Sequence, residues 1–410
     1  MAVTTSKDQA PSYVDSAAAA IASARRAVVA DRYAANSLTV EWRTLAELGS
    51  IVAEWRELAA RTLDPNIFYE PAFALEAASV FGRDAGAVLV WSGTSPRQLL
   101  GLFPARIERR RYGLRLPVLV GWTHAYAPLG TPLVEREAAE PVIAAWLDHL
   151  ADNPELPGLL LLPFLPADGP FAAALDAILR RAQMPAADFN RHRRAQLAPR
   201  ENRMLYVERT LGQHKHKELR RSVRRLGDVG AILFTTATEP APVAAALQDF
   251  LTLESRGWKG QAGTAALFHD DVRDFMAAAI TGLAADGKVA VNRILIDGRA
   301  IAATITLRSA DTAWFWKIVY DEDFAAYSPG VILTLAVTEE LLDETAIART
   351  DSCAVANHPM IDHLWRERLA LTDRLIAVRP RAAFGSARRL EQLRAAGIGA
   401  AKAIRGRFHR

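Results

Sequence analysis

Cysteine is nearly absent from the chain. Cys353 stands alone among 410 residues, which excludes an intramolecular disulfide framework and any cysteine-built zinc site. No apolar run reaches the roughly 18 residues that a membrane-crossing helix needs. The alanine-rich start, Ala17 to Ala22, carries its charges Arg25 and Arg26 behind the apolar run, whereas a secretory signal has them in front. Residues 1–37 are therefore expected to be a low-complexity leader, and the compartment is expected to be cytoplasmic. His358 and His363 have no carboxylates at ligand spacing, so no metal is expected. Acids are scarce in two places. Between Arg191 and Arg225 twelve lysines and arginines face only Glu201, Glu208 and Glu218, and after Val378 Glu391 alone opposes nine bases. Such local fields suit an anionic partner.

What is present is an ordinary globular composition, 50% hydrophobic and 23% charged, in a chain long enough for two cores. Apolar spacing predicts helices at 45–61 and 71–81, strands at 87–91, 99–107 and 117–120, a helix at 137–151, a strand at 159–162 and a helix at 169–181. The second half repeats the plan. Helices at 211–226, 242–254 and 271–285 surround a strand at 231–235, then strands at 289–296 and 300–307 meet across Asp297-Gly298, a hairpin signal. Strand 312–320, a long apolar helix opened by Ser328-Pro329-Gly330, strand 349–355, a short helix near 361–369 and strand 371–378 complete it. A polar linker is expected over 185–201. The expected division is a lobe at 38–190, a lobe at 191–380 and a basic amphipathic tail at 381–410. The fold class is α+β, two related lobes each with a mixed, mostly antiparallel sheet flanked by helices.

The segment from Trp314 to Leu342 is the most informative. Proline is pre-organised for a first helical turn, glycine leaves room beside the backbone, and the first N–H groups of a helix have no internal acceptor. A strand, loop and helix of this kind makes an anion site suited to a diphosphate.

Several pieces stand in order: Lys217-Glu218-Leu219-Arg220-Arg221, Glu254, Gly257-Trp258-Lys259-Gly260, Gly263-Thr264-Ala265, Gly298-Arg299-Ala300, Lys317 to Glu322, and Ser328-Pro329-Gly330. With Trp55, Phe68, Gly101, Pro104 and Tyr126 fitting loosely in the first half, the chain from about 40 to 378 resembles the GNAT-type acyltransferases of the CelD/BcsL kind, linked to cellulose and exopolysaccharide synthesis. It is more distantly similar to the FemABX aminoacyltransferases, which are tandem-GNAT proteins. The resemblance implies acetyl-CoA or another acyl-CoA as cosubstrate. Trp316 and Ile318 would lie on the pantetheine strand, and Ser328, Gly330, Val331 and Ile332 would form the phosphate end. The usual GNAT loop of Gln or Arg with two spaced glycines is absent. The equivalent connection in the first half, Tyr126 to Pro132, does not run straight into a helix and lacks an exposed glycine at a helix start, so one donor site, in the second lobe, is expected.

Acyl transfer needs a base and a group that steadies the oxyanion. Glu254, Asp321 and Asp351 are the candidate bases, Lys317 is a further candidate, and Tyr320 could protonate the departing thiolate. Trp258 would supply a flat wall and Lys259 a fixed charge, while Arg220 and Arg221 would meet an anionic substrate or the ribose phosphate of CoA. Cys353 reads as a buried structural thiol. The acceptor is expected to be a small or sugar-derived molecule, and the basic tail could touch an anionic membrane. No aromatic-rich nucleic-acid motif accompanies the charge, so nucleic acid enters only as charged tRNA, under FemABX-like transfer. The remaining alternative is a non-catalytic accessory module of polysaccharide synthesis.

Overall fold

The computed structural model describes residues 38–93, 95–198, 203–380 and 383–408; the expected leader lies outside them. The first lobe opens with β1 (Leu38–Thr44), a 3-10 turn (Leu45–Ile51), α1 (Val52–Arg61) and α2 (Pro71–Phe81). It continues through β2 (Ala85–Ser92), β3 (Leu99–Glu108), β4 (Val118–Gly121), β5 (Leu133–Val134), α3 (Ala139–Asp152), β6 (Leu159–Pro166), α4 (Pro170–Arg181) and β7 (Ala186–Leu197). The second lobe follows as α5 (Arg203–Gly227), β8 (Ile232–Ala237), α6 (Pro240–Arg256), α7 (Trp258–Gln261), α8 (Asp270–Ala285), β9 (Val289–Ile296), β10 (Arg299–Ser309) and β11 (Thr312–Tyr320). Then come α9 (Pro329–Asp343), β12 (Arg349–Asp351), α10 (Ile361–Leu364), β13 (Glu367–Ala377) and α11 (Phe384–Phe408).

Local chemistry sets these boundaries. Proline occupies the first helical turn of α2, α4, α6 and α9, where its missing N–H has no bond to lose. The β9–β10 turn places Asp297 at φ 49° and Gly298 at φ 80°, the left-handed pair that a tight hairpin requires. β12 is shorter than the expected strand over 349–355. The Asp351 carboxylate accepts the Cys353 N–H at 3.0 Å and Cys353 sits at φ 52°, so the chain turns out of the sheet there. α10 ends at Leu364, because Glu367 already begins β13.

All strands but β5, which pairs only with β3, lie in one sheet path, β1-β2-β3-β4-β6-β13-β7-β12-β11-β10-β9-β8. Its parallel pairs are β4 with β6 and β11 with β12. The last strands of the two lobes are exchanged: β13 pairs with β6 of the first lobe, and β7 pairs with β12 of the second. β7 and β13 also pair with each other, antiparallel. The expected linker is thus a central strand, and a division at 190/191 falls inside it. Its polarity misled because several of its polar side chains are partnered within the protein. Asp188 accepts from Arg374 Nε at 2.8 Å, Asn190 donates to Asp373 at 2.6 Å, and the buried Arg194 pairs with Asp351.

A single apolar cluster runs through both lobes, from Trp55, Phe68 and Phe73 to Phe250, Phe275 and Trp314. Helices α2 and α8 pack along this seam, with the Phe73 and Phe275 rings edge to face at 5.4 Å. Glu70, buried at the start of α2, accepts from Lys288 and from the Ser309 hydroxyl of the other lobe. The start of the expected tail is docked rather than loose. Glu391 of α11 is 3% exposed and accepts from Arg111 Nε at 2.5 Å and from the Tyr112 hydroxyl. No helix among the described residues is long and apolar enough to cross a membrane.

Candidate active site

β11 is the strand on which the site is built. Its register with β10 passes from Ile305↔Lys317 to Thr306↔Phe315, so Trp316 is an extra residue, a bulge. On its other side β11 pairs with β12 only from Thr312↔Arg349 to Trp314↔Asp351. Beyond that pair the two chains part, and Phe315 to Tyr320 present an edge that β12 does not cover. Backbone donors and acceptors on such an edge are available to an extended ligand.

A cavity of about 470 Å³ lies at this parting. Glu254, Trp258 and Lys259 form one wall, Ile318, Val319 and Tyr320 of β11 another, and Ser328, Gly330 and Val331 the end. Eight sequence candidates therefore meet here from three separate stretches of chain. Gly330 approaches closely: a Cβ there would stand 3.0 Å from Tyr320 Cδ1 and press on that exposed ring. Gly260 is required, since its Cβ would fall 1.8 Å from the Ser255 carbonyl oxygen, a backbone atom. The helix start is narrower than expected. Ser328, at φ 55°, turns its carbonyl back to accept from both Val331 N–H (3.0 Å) and Ile332 N–H (3.1 Å). Pro329 has no N–H, which leaves Gly330 as the available donor of the first turn among the described residues. Ile332 is buried in the core of the second lobe and takes no part in the cavity.

Glu254 is 4% exposed and both its oxygens are occupied: Oε1 by Lys259 Nζ at 2.6 Å, Oε2 by Ala266 N–H at 2.9 Å. Trp258 is the exposed lip of the cavity, its N–H held by Glu322 at 2.8 Å. Lys317 is different. Its amine lies 4.1 Å from the centre of the Tyr126 ring and 5.0 Å from that of Trp316. Burial, with Lys259 adding to it, lowers its pKa to about 8 against the pull of Glu254 and Cys353. His124 beside it is held neutral, its pKa lowered to about 3 by burial and then by Lys317. Burial raises Tyr126 to about 12, with Glu254 and Asp271 adding to the effect, and raises the Cys353 thiol, with Asp351 next.

Three expected site residues do other work. Asp351 and Arg194 form a buried ion pair, 3% and 2% exposed, and Asp351 lines a separate cavity of about 240 Å³ with Asp64 and Arg349. Asp321 caps the 3-10 turn Glu322–Tyr327, accepting from Asp323 N–H at 3.1 Å, and pairs with Arg299. Trp316 points into the seam, its indole N–H donating to the Tyr126 carbonyl at 2.8 Å. Arg220 and Arg221 are exposed on α5, outside the cavity wall. The last turn of α5 does reach the helix start, where the Arg225 guanidinium lies 5.0 Å from the Tyr327 ring centre. No group of three or more His, Cys, Asp or Glu among the described residues is arranged to hold a metal ion. No role for His124 is legible in the sequence, and Tyr126 enters there only as a loose match. Their stretch, Thr123-His124-Ala125-Tyr126-Ala127-Pro128, reads as a loop, and only the packing of the two lobes brings it to Lys317.

The first lobe has a matching parallel pair, Leu119↔Leu160 and Val120↔Leu161, but its opening is filled by its own chain. Gly130 N–H donates to the Phe164 carbonyl at 3.3 Å, and a Cβ at Gly130 would lie 2.0 Å from the Pro163 carbonyl oxygen.

Residues 213–357 match the family described as Acetyltransferase (GNAT) domain. The second lobe is therefore a GNAT-type acyltransferase domain, and the protein is an acyltransferase. Both lobes together share the fold of FemX, at a TM-score of 0.53 with 9% identity, over 80% of this chain and 95% of that one. The C-terminal domain of a putative lysylphosphatidylglycerol synthetase from Agrobacterium fabrum is similar at a TM-score of 0.48, 12% identical over 80% and 92% of the two chains. A tandem GNAT protein from the clavulanic acid biosynthesis pathway is similar at 0.39, 15% identical over 83% and 98%. No curated protein matches the sequence.

Proposed function

We propose that the protein transfers an acyl group, acetyl in the first instance, from acyl-CoA to an amine or hydroxyl of a small or sugar-derived acceptor. The observation that carries this reading is the parting of β11 from β12 beside a helix started by Gly330, with Lys317 on the bared strand. A pantetheine arm is an extended chain with amides, and the uncovered edge of β11 supplies matching donors and acceptors. The Gly330 N–H and the positive end of α9 suit the diphosphate; Trp258 offers a face for the adenine. The acceptor attacks the thioester carbonyl directly, since both oxygens of Glu254 are occupied and no activated nucleophile adjoins the cavity. Lys317, with a pKa near working pH, takes the acceptor's proton as the acceptor attacks and passes it to the CoA sulfur as the C–S bond breaks, so CoA leaves as a thiol and the amine is neutral again.

A cytoplasmic setting and a place in exopolysaccharide or cellulose synthesis belong to this reading through the CelD/BcsL resemblance. Contact of the basic tail with an anionic membrane is a separate proposal, checked by co-sedimentation with anionic vesicles that fails on deleting 381–410.

Calorimetric titration with acetyl-CoA, CoA and charged tRNA tests the donor, using the wild type and Gly330→Trp. Micromolar CoA binding lost in the variant is the expected result. The exposed bases of α5 near the helix start favour one rival, aminoacyl transfer. Binding of tRNA that weakens steeply with salt, with none of CoA, would establish it. Silence towards every donor would leave a non-catalytic accessory module.

A further inference from the structure

The gap beside the β4–β6 pair of the first lobe is filled by its own chain, yet its loop between β4 and β5 is fastened to the second lobe at the bulge of β11. The Trp316 indole N–H donates to the Tyr126 carbonyl at 2.8 Å, and the Tyr126 N–H donates to His124 Nδ1 at 3.4 Å. Phe81 stacks on both rings, at 4.3 Å from His124 and 5.6 Å from Tyr126. Phe275 of α8 meets Tyr126 edge to face at 5.6 Å. The Tyr126 ring is thus fixed from both lobes, and its face lies 4.1 Å from the Lys317 amine.

We propose that Tyr126 is a positioning residue of the second lobe's reaction centre: its ring face, supplied by the first lobe, holds the Lys317 amine in place and sets the balance between its charged and neutral forms. This rests on the reading of Lys317 as the proton-accepting group. The charged groups around Lys317 act on its charge but do not hold its position. Glu254 and Cys353 favour the charged amine, but Glu254 is itself bound by Lys259 and Ala266 N–H; Lys259 repels, and His124 is neutral. An aromatic face attracts an ammonium through the negative charge above the ring and favours its charged form. Burial and Lys259 favour the neutral form. The ring face thus acts on the charged side of this balance, beside Glu254 and Cys353, and a general base requires such a balance near working pH.

The test is a direct titration of Lys317 in the full chain by NMR of lysine labelled with ¹³C at Cε, assigned through the signal missing in Lys317→Arg. Tyr126→Phe keeps the ring and is expected to titrate near about 8, as the wild type. Tyr126→Leu removes the face while keeping the site dry, and its midpoint is expected to fall by about 0.5 to 1.5 pH units. Pentafluorophenylalanine placed at position 126 keeps the ring's shape but reverses the charge of its face, and is expected to lower the midpoint in the same way even where leucine fails to fold. The proposal is overturned if leucine and the fluorinated ring titrate as the wild type, or if phenylalanine shifts as far as they do. Because the titration involves neither donor nor turnover, its outcome is independent of whether CoA binds.

Discussion

An ammonium drawn largely out of water, with no carboxylate at ion-pair distance among the described residues, costs stability whenever it carries its charge. Lys317 binds its proton with a pKa of about 8 in the folded protein, against the ordinary 10.5 of an unfolded chain. Below about 8 both states are protonated and the folded one bears the full cost. Between 8 and 10.5 the unfolded state holds more protons, so stability from this group rises with pH. Lys317→Met is therefore expected to stabilise the protein by about 1 to 2 kcal/mol at pH 7, with the gain shrinking towards pH 10; melting temperatures across that range would show it. The same titration predicts activity that climbs with pH to a plateau above about 8. Lys317→Arg, charged throughout, should have lost nearly all turnover while still binding CoA; substantial retained turnover would make the residue an oxyanion-binding cation instead. Glu254→Gln separates Glu254, on the cavity wall, from Lys317, on the strand beside it. If Lys317 is the base, the variant keeps measurable turnover and its pH midpoint moves below that of the wild type, because a charge favouring the protonated amine is gone. Turnover lost at every pH would return the role to Glu254.

Among the elements, α9 and β7 show what a sequence can and cannot disclose. Ser328-Pro329-Gly330 announces a helix start with room beside it, and the structure places the cavity there. That the Ser328 carbonyl would take two of the N–H groups depends on its left-handed φ, which no neighbouring residue signals. β7 was hidden because strand patterns are recognised by apolar alternation, and here Asp188, Asn190 and Arg194 find their partners on the returning chain, not in water. Arg194→Met is expected to destabilise the protein by about 3 to 5 kcal/mol by leaving Asp351 buried and unpaired, with much of the loss recovered in Arg194→Met/Asp351→Leu. Urea denaturation would measure both. Turnover in the double variant would also remove Asp351 from the candidate bases.

On the scale of the whole molecule, the order of elements disclosed two similar lobes, because each repeats helices, an antiparallel meander, a helix and a closing strand. It did not disclose which lobe each closing strand completes. β7 and β13 are of similar length and buried on either side by neighbours that either lobe could supply, so local pattern is indifferent to the choice. The exchange and the shared core of Phe73, Phe275 and Trp314 predict one cooperative unfolding transition by fluorescence and circular dichroism alike. They also predict that 38–198 and 203–380, expressed apart, are unstructured, and that they assemble when expressed together. Two separate transitions, or a folded 203–380, would show that the lobes stand alone.

Leu161 of β6 pairs with Leu375 of β13, and this has a consequence for synthesis on the ribosome. Until β13 is made, the first lobe carries an open β6 edge, a surface that invites the wrong neighbour. It cannot close until the second lobe's closing strand has emerged. A prematurely terminated chain therefore never becomes half an enzyme; it remains an unfinished sheet, recognisable as such to the chaperones and proteases that meet it.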